Sequence, residues 1–131
     1  AAALALGADL VYIGTHFIAA AESLAGDEYK EMLIDATIDD IIYTDTFSGV
    51  NANYLIPSIR RAGLDPDRLP KRNEGYVGAH ERPKPWKDIW SAGQGVGEVR
   101  KVQPVAGIVA ELKEQYIQSL TELAEKGRRW M

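Results

Sequence analysis

Apolar residues crowd the start of the chain: residues 1–21 are broken only by Gly7, Asp9 and the Gly14-Thr15-His16 step. AAALALGA predicts the end of a helix, with Gly7 as its C-cap and Asp9 opening a strand. Residues 10–13 (LVYI) are four apolar positions in a row and predict a strand buried on both faces, as in a parallel sheet covered by helices. Residues 17–24 predict a short helix ended by Gly26, with Asp27 capping the next one. There Tyr29, Met32, Leu33 and Ala36 recur at helical spacing, with Lys30, Glu31 and Asp35 outward. Residues 38–46 mix β-branched side chains with aspartates and predict a short strand entering a loop at 47–53. From about Asn53 the pattern turns helical, with Leu55, Ile56, Ile59 and Ala62 on one face, Pro57 near the start and Gly63 as C-cap. Residues 71–84 are polar and aperiodic, a long loop. Last comes a long helix with Pro104 at its first position and Gly127 at its end. Its apolar face is Val105, Ile108, Val109, Leu112, Tyr116, Leu120 and Leu123.

Helix, strand, then Gly14-Thr15 make one α/β unit, and in α/β folds ligands gather at the carboxyl ends of the strands. Gly14 lets a phosphate approach the backbone and the Thr15 hydroxyl can donate to it. The same pair would also serve merely to turn the chain and cap the next helix. Residues 91–97, SAGQGVG, place three glycines at alternate positions, which suits a backbone close to a ligand or another strand, and Trp90 beside them could wall a pocket. The dinucleotide fingerprint G-x-G-x-x-G is not met. Arg60 and Arg61 read as a solvated helix end where positive charge suits the dipole, with phosphate contact as the alternative.

Composition narrows the classes. A 46% hydrophobic content is that of a globular domain, and a net charge of −4 with pI near 5.2 gives no basic footprint for nucleic acid. The chain has no cysteine, which removes disulfides, thiolate metal sites and a Cys nucleophile and is compatible with a cytoplasmic location. Two histidines far apart, His16 and His80, suggest no metal site. The apolar start lacks a basic n-region and is interrupted by Asp9 and His16, so it reads as neither signal peptide nor membrane span. The chain does not begin with Met and opens inside a helical pattern, so a fragment of a longer protein is expected.

GADLVYIGTHF after an alanine-rich helix resembles the last barrel strand of flavin mononucleotide (FMN) enzymes with a TIM-barrel fold, especially the nitronate monooxygenase family. DIWSAGQGVGEVRKVQPVAGIVAELKE, residues 88–114, is similar to the family's C-terminal signature. IDDIIYTDTFSGVNANYL is similar to its middle segment, with Asn51 and Asn53 where Arg is common. The resemblance implies an α/β fold, the C-terminal portion of a TIM (β/α)8 barrel with a mostly helical insertion. Residues 1–17 would be the last barrel strand and phosphate turn, 18–85 a substrate-side insertion, 86–103 a glycine-rich active-site loop and 104–127 the closing helix.

The resemblance further implies FMN as cofactor, held at Tyr12, Ile13, Gly14 and Thr15, with Ser91 and Gln94 on the substrate side. No catalytic base falls in this chain. The implied reaction oxidises an alkyl nitronate with dioxygen to a carbonyl compound and nitrite. His16 stands where the family usually has Arg in GTRF, so it is either a helper in phosphate charge balance or a simple helix-start residue. Flavin-dependent enoyl-ACP reductases share the barrel and an AGQ-like loop and give an alternative activity. A phosphate-binding module without chemistry is a third reading.

Overall fold

The structure, a computed structural model, describes residues 1–70, 84 and 86–129. Of the expected loop at 71–84 only Lys84 lies among them; His80 and Pro85 lie outside the described residues. The order of elements is α1 (Ala2–Ala5), α2 (Thr15–Ile18), α3 (Asp27–Asp35), β1 (Ile41–Thr44), β2 (Ala52–Leu55), α4 (Ile56–Arg61) and α5 (Val105–Arg128), with 3-10 turns at Ile38–Asp40, Pro66–Arg68 and Gln94–Glu98.

The first turn forms as expected. Gly7 takes φ +97°, its N–H donates to the Leu4 carbonyl and the Ala8 N–H to that of Ala3, the paired bonds of a Schellman cap. The expected strand at 10–13 does not form. Leu10 is 88% and Tyr12 98% exposed, and no ladder partner lies beside them among the described residues. Strand geometry is a pairwise property; apolar sequence without a neighbouring edge cannot create it.

Helix α2 starts at Thr15 and stops at Ile18, shorter and earlier than expected. Ala20 forms a parallel bridge with Gln103, and the Ala21 N–H donates to the Gln103 carbonyl at 2.9 Å. Small side chains at Ala19 and Ala20, both buried, permit that approach. Gly26, not Asp27, is the N-cap of α3, and Asp27 and Glu28 occupy its first turn, where negative charge suits the dipole. Glu31 and Asp35 face outward as expected; Lys30 is buried instead, its ammonium donating to the Ser23 carbonyl at 3.0 Å.

β1 and β2 form an antiparallel hairpin with Ile41 opposite Leu55 and Thr44 opposite Ala52. Residues 53–55 therefore belong to a strand rather than to the start of a helix. Pro57 then sits in the first turn of α4, and Gly63 at φ +77° follows its end. Adjacent residues of a strand face opposite ways, and β2 uses this to serve two cores. Leu55 packs with Ala19, Leu33, Ala36, Ala92, Val96 and Val99; Tyr54 packs with Phe47, Ile59 and Ile89.

Helix α5 has Pro104 as its N-cap rather than its first residue and passes Gly127 to end at Arg128. The Glu22 carboxylate accepts from the Val105 N–H at 2.9 Å, closing the helix start. Ile108 is the one fully buried residue of α5; Val109, Tyr116, Leu120 and Leu123 of the expected apolar face are exposed. Among the described residues no helix is long and apolar enough to cross a membrane.

Candidate functional site

The Trp90–Gly93 backbone is held from four sides. Its Trp90 carbonyl accepts from the Leu55 N–H at 2.8 Å, and its Trp90 N–H donates to the buried Ser58 hydroxyl at 2.9 Å. Ser58 in turn donates to the Leu55 carbonyl at 2.8 Å, so one hydroxyl ties strand, helix and loop together. The Tyr29 phenol donates to the Ser91 carbonyl. Burial raises the Tyr29 pKa, against hydrogen bonding from Ser91, so the phenol stays a neutral donor. At the far end the Gly93 N–H donates to Thr15 Oγ1 at 2.8 Å. A Cβ at Gly93 would meet that same oxygen at 3.4 Å, an ordinary contact, so the approach does not depend on the glycine.

Trp90 is not among the residues that line the cleft at Gly14. Its ring stacks on Tyr29 at 4.7 Å between centroids, with the Arg61 guanidinium over it at 3.4 Å. Arg61 also pairs with Glu28 at 2.9 Å and donates to the Asp88 carbonyl at 2.9 Å. It is exposed at the helix end as expected and also clamps the loop, and it is not among the residues that line the cleft at Gly14. Tyr29 reads from sequence as plain packing, and its hydroxyl is the part that pattern could not assign.

The Thr15–Gly93 bond brings two segments of the sequence to one cleft of about 670 Å³. Tyr12, Ile13, Gly14 and Thr15 line one side, and Ser91, Ala92 and Gly93 the other, with Asn53 and Trp86 also on its wall. Gln94 is not part of it; it opens an exposed 3-10 turn whose Val96 is buried in the first core. Sequence reading missed Trp86 and gave Asn53 no role beyond standing where Arg is common. The PWKDIW stretch offered two tryptophans, and the structure puts the first on the cleft wall and the second beneath the loop.

Among the described residues no charged side chain lines this cleft. A Cβ built at Gly14 meets no atom within 4 Å, so the space over that backbone is open to a ligand oxygen. His16 is not on this wall. It lines a second, polar cleft of about 440 Å³ with Arg100, Lys101, Gln103 and Glu111, and stands in the first turn of α2, the plainer of the two places expected for it. There Glu111 pairs with Lys101 at 2.7 Å and accepts from Gln103 at 2.6 Å; these bonds, Lys101 foremost, lower its pKa. No cluster of His, Asp and Glu suited to a metal occurs among the described residues.

The sequence and the fold have known relatives. A nitronate monooxygenase of Paraburkholderia phytofirmans is 29% identical over 145 residues, covering 95% of this chain and 36% of that protein. A FabK mutant from Thermotoga maritima has a similar structure, with TM-score 0.63 and 26% identity over 94% of this chain and 39% of its own. Unmutated FabK from the same organism matches with TM-score 0.63 at 24% identity, covering 94% of this chain and 42% of its own, a likeness of fold. The chain thus spans little more than a third of the nitronate monooxygenase it matches, at 36%. The sequence pattern of the nitronate monooxygenase family matches residues 1–115, most of the chain, and the chain belongs to that family.

Proposed function

We propose that this chain supplies the C-terminal portion of a TIM (β/α)8 barrel. Within it, the chain forms one side of an FMN site in an oxidoreductase that oxidises alkyl nitronates with dioxygen to a carbonyl compound and nitrite. The observation that carries the reading is the Thr15–Gly93 hydrogen bond, which joins the Gly14-Thr15 turn and the Ser91 loop in one cleft. Tyr12, Ile13, Gly14 and Thr15 would hold the cofactor, its phosphate over the open Gly14 backbone. With no cation among the described residues of the wall, backbone N–H groups and hydroxyls carry the phosphate contacts. When bound, FMN supplies the ring that takes electrons from the nitronate and passes them to dioxygen.

Ser91 would offer a hydrogen bond on the substrate side, and Tyr29 fixes the backbone that presents it. Among the described residues no lining residue is an acid or base suited to proton abstraction, and on the family resemblance the reading puts the base in a part of the protein outside this chain. The chain alone is accordingly inactive.

A second reading, a flavin-dependent enoyl-ACP reductase, is favoured by the likeness to FabK. The deciding experiment takes the full-length protein, measures flavin retained after gel filtration, and compares nitrite release from a nitronate with reduction of an enoyl thioester. Nitrite release is expected, and Ser91→Ala should lower it more than it lowers flavin content. Reduction of the thioester alone would favour the second reading, and absence of flavin would leave a phosphate-binding module.

A further inference from the structure

Trp86 is the one non-glycine residue with positive φ among the described residues, at 69°. In this region a Cβ crowds the following carbonyl, and glycine is the residue that avoids the strain. The neighbouring bonds enforce it. The Trp86 N–H donates to the Ile89 carbonyl at 3.0 Å, the Asp88 N–H to the Lys84 carbonyl at 2.9 Å, and the Lys84 N–H to the Asp88 carboxylate at 2.8 Å. Ile89 is buried in the second core, and the Asp88 carbonyl is held by Arg61. The turn is thus fixed at both ends while its strained residue keeps an indole 61% exposed. That indole lies on the cleft wall, 5.8 Å from Tyr54 between ring centroids. A large apolar surface held in a strained backbone and left facing a cleft does not contribute to a core; its use lies in the cleft.

We propose that Trp86 is a specificity-determining residue that receives the apolar tail of the substrate and so sets its chain-length preference. The inference rests on the reading of the cleft as a nitronate site. Beside Trp86 the described wall offers Ala52 and the neutral Asn53 and Ser91, with no charge among the described residues, which leaves the indole and Ala52 as the surface for an alkyl chain.

The test titrates full-length, flavin-loaded protein with butanoate and octanoate, unreactive carboxylates that share the charge and planar head of a nitronate. Binding is read by calorimetry. Octanoate should bind more tightly than butanoate, and Trp86→Ala should cut that advantage about tenfold while leaving butanoate unchanged. Trp86→Phe should restore most of it. Because glycine suits the backbone, Trp86→Gly should melt no lower than Trp86→Ala. An octanoate advantage unchanged in Trp86→Ala, an equal loss for both acids, or no length dependence in the parent protein would each overturn the proposal. Nitrite release from matched nitronates is assayed alongside. Its absence with the length effect intact would sink the nitronate reading and keep the assignment of Trp86.

Discussion

The two walls of the cleft are built on different terms. The Ser91–Gly93 wall, with Trp90 before it, is tied to β2, α3, α4 and α2 by bonds from Leu55, Tyr29, Ser58 and Thr15, and a buried core lies behind it. The stretch at residues 10–13, which brings Tyr12 and Ile13 to the other wall, is at least as apolar in sequence, yet its side chains stand in solvent. The difference shows that apolar sequence is not what fixes a wall. What fixes it is whether every backbone donor and acceptor finds a partner within reach. One wall brings its own partners, and the other is a strand in composition that lacks a ladder.

The largest expected effect comes from filling the space the open wall leaves. Gly14 has φ −103°, which any residue adopts, and a Cβ there meets nothing within 4 Å. Gly14→Val should therefore fold normally and lose flavin altogether in the full-length protein, because a branched side chain occupies the phosphate's approach. Flavin absorbance retained after gel filtration would contradict this.

Next in size is Ser58→Ala, aimed at the tied wall. It leaves the Trp90 N–H without its acceptor and should cost about 1–3 kcal/mol in urea unfolding. A loss near zero would mean that the loop holds without the hydroxyl. Thr15→Ala removes the single bond joining the two walls and should cost less, roughly 0.5–1.5 kcal/mol, with weaker flavin binding as the accompanying sign.

The smallest effect touches neither wall. Glu111 has its pKa lowered by bonds from Lys101 and Gln103 at the root of α5. A carboxylate whose folded pKa lies below its unfolded one adds stability that is fully present above the unfolded value and is lost as pH falls through the folded one. Glu111→Gln should thus lower the melting midpoint slightly at neutral pH and leave it unchanged in acid. A difference that persists in acid would assign the effect to packing instead.

Much of the frame was legible from the sequence because it rests on local rules. The face of α3, the caps at Gly7 and Gly63 and the place of Pro57 follow from helical spacing and backbone preference alone. Of the residues that the motifs single out, Tyr12 to Thr15 and Ser91 line the cleft and Gln94 does not. What escaped depends on partners far along the chain. The short ANYL strand is recognisable only beside β1, and Leu55 needs the Trp90 carbonyl, which no pattern near residue 55 announces. Lys30 and Arg61 look like surface charge until Ser23, Trp90 and Glu28 are placed against them. Residues 10–13 failed in the opposite sense, since composition promised a buried strand where no edge is present among the described residues.

Amide hydrogen exchange on this chain tests the contrast between the walls most directly. The amides of Leu55, Trp90 and Gly93, each bonded across elements, should be protected, while those of Val11, Tyr12 and Ile13 should exchange at the rate of an unstructured peptide. Protection at residues 11–13 matching that at Trp90, or free exchange at Trp90 and Gly93, would contradict the account of one wall built by the chain itself and one left open.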